Sequence, residues 1–305
     1  MAEHARELDV AATTAELLRL DGAAGARHAA PEALRAVRAA RRLLRTPAGA
    51  ADRESLAELF EVAGWILFDA ERHGPSYALN RQALALARGL PPERRSIEWL
   101  VLSVLCMQQA HLGRPGDALR ISSSVLAGRE LPERVAAIFH VREARAHALL
   151  QRRREAVRSM SAARELLGDG PSTARDPSWT WWFDRSELVG HEGLALADLG
   201  DLEAAASCLH EAAGAGDAPA YRALFSAELA SALSRAGAWR EADAWLSTLV
   251  ESAPGMGSAR ALNSLVGATR IIGRGRGVPR GLRDTSRYLA EVLRKEIPFH
   301  GPRRR

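Results

Sequence analysis

The 305-residue chain is poor in cysteine, lysine, aromatics and long apolar runs, and each shortage excludes something. Two cysteines, Cys106 and Cys208, both in helix-like stretches, cannot build a disulfide framework, so a reducing cytoplasm is the expected compartment. No apolar run reaches the ~18 residues of a membrane-spanning helix. The opening Met1-Ala2-Glu3-His4 lacks a basic region followed by an apolar core, so neither secretion nor a membrane partner is expected. Aromatics make up 5% while apolar residues reach 47%, which leaves alanine and leucine to carry the packing. That balance favours close-packed helices over sheet. Lys295 is the single lysine, and 42 basic against 37 acidic residues leave a net charge of +5. The surplus lies from Arg274 onward and includes Arg303, Arg304 and Arg305, so charge alone implies no nucleic-acid groove and none is expected as a partner.

What the chain does have is a repeat. Five times a helix-length apolar stretch ends at a turn and a shorter helix follows, with an alanine near its start: Ala78, Ala118, Ala156, Ala205 and Ala242. Helix pairs recurring at about 30–45 residues predict an α-solenoid. The pairs read as Ser55–His73 with Pro75–Arg88, Ser96–Leu112 with Pro115–Ala127, Glu133–Gln151 with Arg154–Leu167, Asp184–Leu199 with Leu202–Ala213, and Pro219–Ala236 with Trp239–Ser252. Residues 1–50 read as N-terminal capping helices closed by Thr46-Pro47, 51–272 as the solenoid, and 273–305 as a flexible basic break, a last amphipathic helix and a tail. The stretch Gly257–Ile272 offers a sixth first helix.

The fourth and fifth pairs share a register. Gly193, Leu196, Gly200, Ala205, Leu209 and Ala212 match Ala230, Leu233, Gly237, Ala242, Leu246 and Leu249 at identical intervals. Small residues let paired helices approach, and the glycine after each first helix accepts a positive φ. The second pair fits with Cys106, Gly113, Ala118 and Val125, and the third with Ala144, Ala156, Met160 and Ala163, with Gln151 in the glycine position. The first fits worst, with Ile66 and Gln82 at the small and large positions.

This spacing resembles the tetratricopeptide repeat over Ser55 to Ser252, which implies an all-α, right-handed superhelix of about five hairpins with terminal caps. The run Trp181–Gly193 followed by Leu199-Gly200-Asp201, together with Gly257–Leu262, is similar to segments of actinobacterial regulators that join a helix-turn-helix to a tetratricopeptide region. No helix-turn-helix pattern stands ahead of the repeats here, so the resemblance implies a regulatory role without DNA binding of its own.

In such solenoids first helices line the concave face. The register then selects as groove residues Leu100, Ser103, Met107 and His111; Val141, Arg145 and Leu149; Glu187, Leu194 and Asp198; and Leu224, Ser231 and Arg235. A lining of mixed apolar and charged groups suits a protein or peptide partner. Two other readings stay open: a sensor closing on a small molecule or signalling peptide, and an RNA-binding repeat using the arginines. Trp179, Trp181 and Trp182 either form a hot spot or pack over a repeat junction, with Asp184 capping the helix that follows. His140, Glu143 and His147 share a helical face without the paired i, i+4 histidines of a zinc helix, so no metal and no cofactor is expected. No nucleophile, base and orienting group recur together, and an enzyme is not expected. Leu289, Val292, Leu293 and Ile297 on the last helix offer either an end cap or a homodimer face.

Overall fold

The computed structural model describes residues 9–44, 49–128, 130–168, 173, 175–214 and 219–296. Fourteen helices and no strand lie among them, stacked as a helical repeat. The pairs are α1 (Val10–Ala24) with α2 (Ala26–Leu43), α3 (Ala50–Asp69) with α4 (His73–Arg88), and α5 (Ser96–His111) with α6 (Pro115–Gly128). They continue as α7 (Glu133–Leu149) with α8 (Arg153–Leu167), α9 (Arg185–Asp198) with α10 (Leu202–Ala213), and α11 (Ala223–Ala236) with α12 (Trp239–Leu249). The last is α13 (Ala259–Arg274) with α14 (Arg280–Glu296). The flanking pairs continue the stack: α1 and α2 pack on α3, and α13 packs on α11. The Thr46-Pro47 break, Ile297 and the basic tail lie outside the described residues.

Local chemistry sets each hairpin. Five turns share one device, a residue in the left-handed region: Glu71 (φ 60), Gly113 (φ 73), Gln151 (φ 58), Gly200 (φ 80) and Gly237 (φ 70). At each, the following amide returns to a carbonyl of the first helix, as in Arg114 N to Gln109 O at 2.8 Å and Asp201 N to Leu196 O at 2.9 Å. This bond closes carbonyls that the helix end leaves open. Seven residues before and five after each such residue stands a buried small pair: Gly64 and Ser76, Cys106 and Ala118, Ala144 and Ala156, Gly193 and Ala205, Ala230 and Ala242. The first hairpin therefore runs two residues ahead of the register that sequence spacing suggests. Ala78 is exposed and Ser76 holds its place, because α3 stops at Asp69 and Glu71 makes the turn.

Leu209 and Leu246 are fully buried between neighbouring pairs, where truncation to alanine costs about 2–5 kcal/mol. On the last helix Leu282, Leu289 and Leu293 are fully buried against α11–α13, so two residues of the stripe offered for an end cap or a homodimer pack within the chain, while Val292 is half-buried. The connection before α14 is held by Arg283, whose guanidinium donates to the Gly275 and Val278 carbonyls.

The two ends of the stack meet. Arg27 N donates to Gly257 O at 2.8 Å, and the Arg27 side chain reaches Met256 O and Glu296. Gly25 and Gly257 cross back to back; a Cβ on Gly25 would lie 2.5 Å from Gly257 Cα, so only glycine allows the approach. Deeper in, buried Asp69 of α3 accepts from Arg260 Nε at 2.8 Å and Ser258 Oγ at 2.9 Å, both at the start of α13. The Arg260 guanidinium also lies over Phe68, 4.5 Å from the ring centre. Those contacts close the repeat into a ring. Among the described residues no helix is long and apolar enough to cross a membrane.

Candidate functional site

The inner faces of α1, α3, α5, α7, α9, α11 and α13 enclose a central chamber of about 360 Å³. Its α9 wall is densely paired. Asp184 caps α9 by accepting from Glu187 N at 2.8 Å, so the helix starts where its side chains are needed. Glu187 then accepts from Arg222 Nε at 3.2 Å and lies 3.3 Å from His191 Nε2, while Arg222 also reaches Asp184 at 2.7 Å. Burial holds His191 down at about 4, so its ring is neutral at ordinary pH. The neutral Nε2 either donates to Glu187 or accepts from Arg142 Nη1 at 3.1 Å, but not both. Arg142 is itself pulled down to about 10 by burial. Arg145, next along α7, is tied to Asp198 at 3.2 Å.

The opposing wall, from α1 and α3, is acidic and largely unpaired. Trp65 Nε1 donates to Asp21 Oδ2 at 3.2 Å, leaving Oδ1 without a partner. Burial first, and Asp69 second, push Asp21 up to about 7. Burial, with Glu58 adding repulsion, pushes Glu61 up to about 8. Tyr221 packs edge-on against Trp65 at 5.9 Å, its hydroxyl buried and unpartnered. The short turn Ser178–Trp182 supplies the rim: Trp179 and Trp182 wedge against both flanking cores, while Trp181 borders the chamber and stays 60% exposed.

No known protein family matches the chain, and no curated protein is similar to it. Among solved structures it is similar to BtubC (BKLC) from P. vanneervenii, at 17% identity and a TM-score of 0.43, over 90% of this chain and 96% of that one.

Of the groove residues selected from sequence, Leu100, Met107, Arg145, Glu187, Leu194 and Leu224 line the chamber. The others do not, because their side chains turn toward neighbouring helices or the rim. Ser103 is fully buried and donates to Leu100 O, Val141 sits in the core between α7 and α8, and Leu149 packs near Cys106 and Ala118. Asp198 serves as the partner of Arg145, Arg235 donates to Ala197 O, and Ser231 is half-buried away from the chamber. His111 joins Glu71 and His73, whose ligand atoms all lie within 4.8 Å of one another. Such a set is able to hold a transition metal. Glu71 already bridges both rings, at 3.1 Å and 3.3 Å, which accounts for the arrangement by itself. Burial raises Glu71, but hydrogen bonds from His111 and His73 outweigh it and hold the carboxyl at about 2. His140 and Glu143 meet at 3.5 Å, and His147 does not join them in a ligand set.

Sequence reasoning missed Asp21, Glu58, Glu61, Trp65, Arg142, Tyr221 and Arg260. A signal existed for Glu61: a carboxylate between Phe60 and Val62 in a helix otherwise built for a core.

Proposed function

We propose that the chain is a tetratricopeptide-like binding protein that takes a small ligand into its central chamber and reports it as a regulatory sensor. Ring closure around about 360 Å³ carries this reading. Small-molecule sites commonly fall between about 300 and 1,000 Å³ with mostly apolar walls and a few convergent polar groups. The regulatory part of the proposal rests on the two runs that resemble regulators. The first contributes Trp181, Trp182, Glu187 and His191 to the chamber, and the second contributes Arg260 and the closing contact. A protein partner then reads whether the ring is closed. Burial pushes the Cys106 thiol up to about 12 and Cys208 to about 11, so neither is a ready nucleophile.

Native mass spectrometry of the chain purified from its host tests this. The expected result is an adduct of low mass that raises Tm when added back, by about 2.7 kcal/mol of stability at a hundred times Kd. A chain that carries no adduct, and that no low-mass fraction stabilises, contradicts the reading.

A further inference from the structure

Buried charges in folded chains are ordinarily paired, because water no longer solvates them. Two side chains on the chamber wall break that rule. Glu61 is 4% exposed, faces the chamber, and makes no hydrogen bond or ion pair with a described residue. Its neighbours on the wall, Glu58 and Asp21, are carboxyls too, and Asp21 Oδ1 is likewise unpartnered. Arg260 borders the same space but is committed to Asp69 and to the face of Phe68. Arg142 is the mirror case on α7. It is 6% exposed, no described carboxylate pairs with it, its Nε lacks an acceptor, and Nη1 meets only His191. In the order of the ring α5 stands between α3 and α7, so the two unpaired charges lie on different walls. Between them the lining is apolar, with Val62, Leu100, Met107 and Trp182.

We infer that the chamber receives a small amino-carboxylate, its ammonium group against Glu61 and Asp21 and its carboxylate on Arg142. The inference rests on the chamber being a small-ligand site. An ammonium group supplies the donors that Glu61 and Asp21 lack, and a carboxylate supplies the acceptor that the Arg142 guanidinium lacks. The ligand is neutral overall, so the chamber admits it without importing net charge. Trp179 and Tyr221 also line the chamber and supply flat apolar surface for the ligand's middle. A dipeptide or a longer ω-amino acid, with its charged ends held apart by an apolar middle, has the polar pattern that these groups describe.

The test is a thermal-shift and calorimetric screen of the full chain against the common amino acids and their dipeptides, each also N-acetylated and C-amidated. The expected result is a free-ended member that raises Tm, with blocking of either end weakening binding on the order of a hundredfold. In Glu61→Gln the penalty for N-acetylation disappears, and in Arg142→Gln the penalty for amidation disappears. Arg142→Lys keeps the charge and restores much of the preference for a free carboxylate, which separates recognition from a folding defect. Blocked and free forms binding alike would overturn the inference. So would a screen without a shift while native mass spectrometry finds another low-mass ligand, a result that leaves the chamber reading standing. Absence of any low-mass ligand by both methods removes both.

Discussion

Glu61 and Glu187 are buried alike, at 4% and 6% exposed, and both face the central chamber, yet their surroundings differ. Glu187 on α9 meets Arg222 and His191 and belongs to a network anchored by the Asp184 cap. Glu61 on α3 has no partner among the described residues, and its wall adds Glu58 and half-satisfied Asp21. The same functional group thus performs two jobs. Where the fold supplies the counter-charge, the carboxylate fixes a helix start and a repeat junction. Where the fold withholds it, the carboxyl is held neutral by burial and is costly to ionise until something else brings a cation.

Glutamine at each position separates the two jobs, and the larger effect belongs to the paired wall. Glu187→Gln removes the charge that Arg222 and Asp184 are arranged around and leaves a buried arginine undercompensated. We expect a loss of about 3 kcal/mol in urea unfolding at pH 7. A loss below about 1 kcal/mol would mean that Asp184 alone satisfies Arg222, and that the two walls differ less than their contacts indicate.

Glu61→Gln is expected to move the other way, increasingly as pH rises above about 4.5. The folded-state carboxyl titrates near 8 against an ordinary 4.5. Between those values the unfolded chain releases the proton and the folded chain keeps it, so wild-type stability falls as pH rises through that window. Below about 4.5 both states are protonated and the substitution is close to neutral. By pH 8 glutamine relieves a penalty of up to a few kcal/mol, since each tenfold weakening of the acid on folding costs about 1.4 kcal/mol. Parallel stability–pH curves for wild type and variant would sink the idea, since they would require a counter-charge at Glu61 that the ring does not contain. A bound amine should flatten the wild-type curve and leave the variant unchanged.

How much of this was legible beforehand depended on which wall is considered. The all-α repeat was readable because Gly200 and Gly237 mark the left-handed turn in plain sight, and the small pairs around them repeat at fixed intervals. The first hairpin hid its register, since Glu71 makes the same turn without being glycine and Ser76 does the work of an alanine. Residues on α5, α7, α9 and α11 that point inward could be picked from the shared register. Glu61 and Asp21 could not, because their helices fit the register poorly or were read as caps. Closure itself joins Arg27 to Gly257 and Asp69 to Arg260, contacts so distant in sequence that no periodicity announces them. A groove was therefore expected where the ring encloses a chamber.

Asp21 gives the finest test of the comparison, because it stands between the two cases. One oxygen accepts from Trp65 and the other accepts from nothing. Asp21→Asn keeps an acceptor for the indole and removes only the ionisable oxygen. With the carboxyl raised from an ordinary 3.8 to about 7, the unfolded chain releases the proton between those values while the folded chain keeps it, so the two proteins should differ by less than about 0.5 kcal/mol only below about pH 4. From about pH 4 to pH 7 the asparagine form should become progressively the more stable and then level off, by less than Glu61→Gln achieves, since the smaller elevation leaves less to relieve. Urea unfolding at pH 4 and pH 8 decides it. If asparagine is instead destabilising at both, the unpartnered oxygen is already charged and held by Arg260 across the ring, and Asp21 belongs with Glu187 among the paired groups.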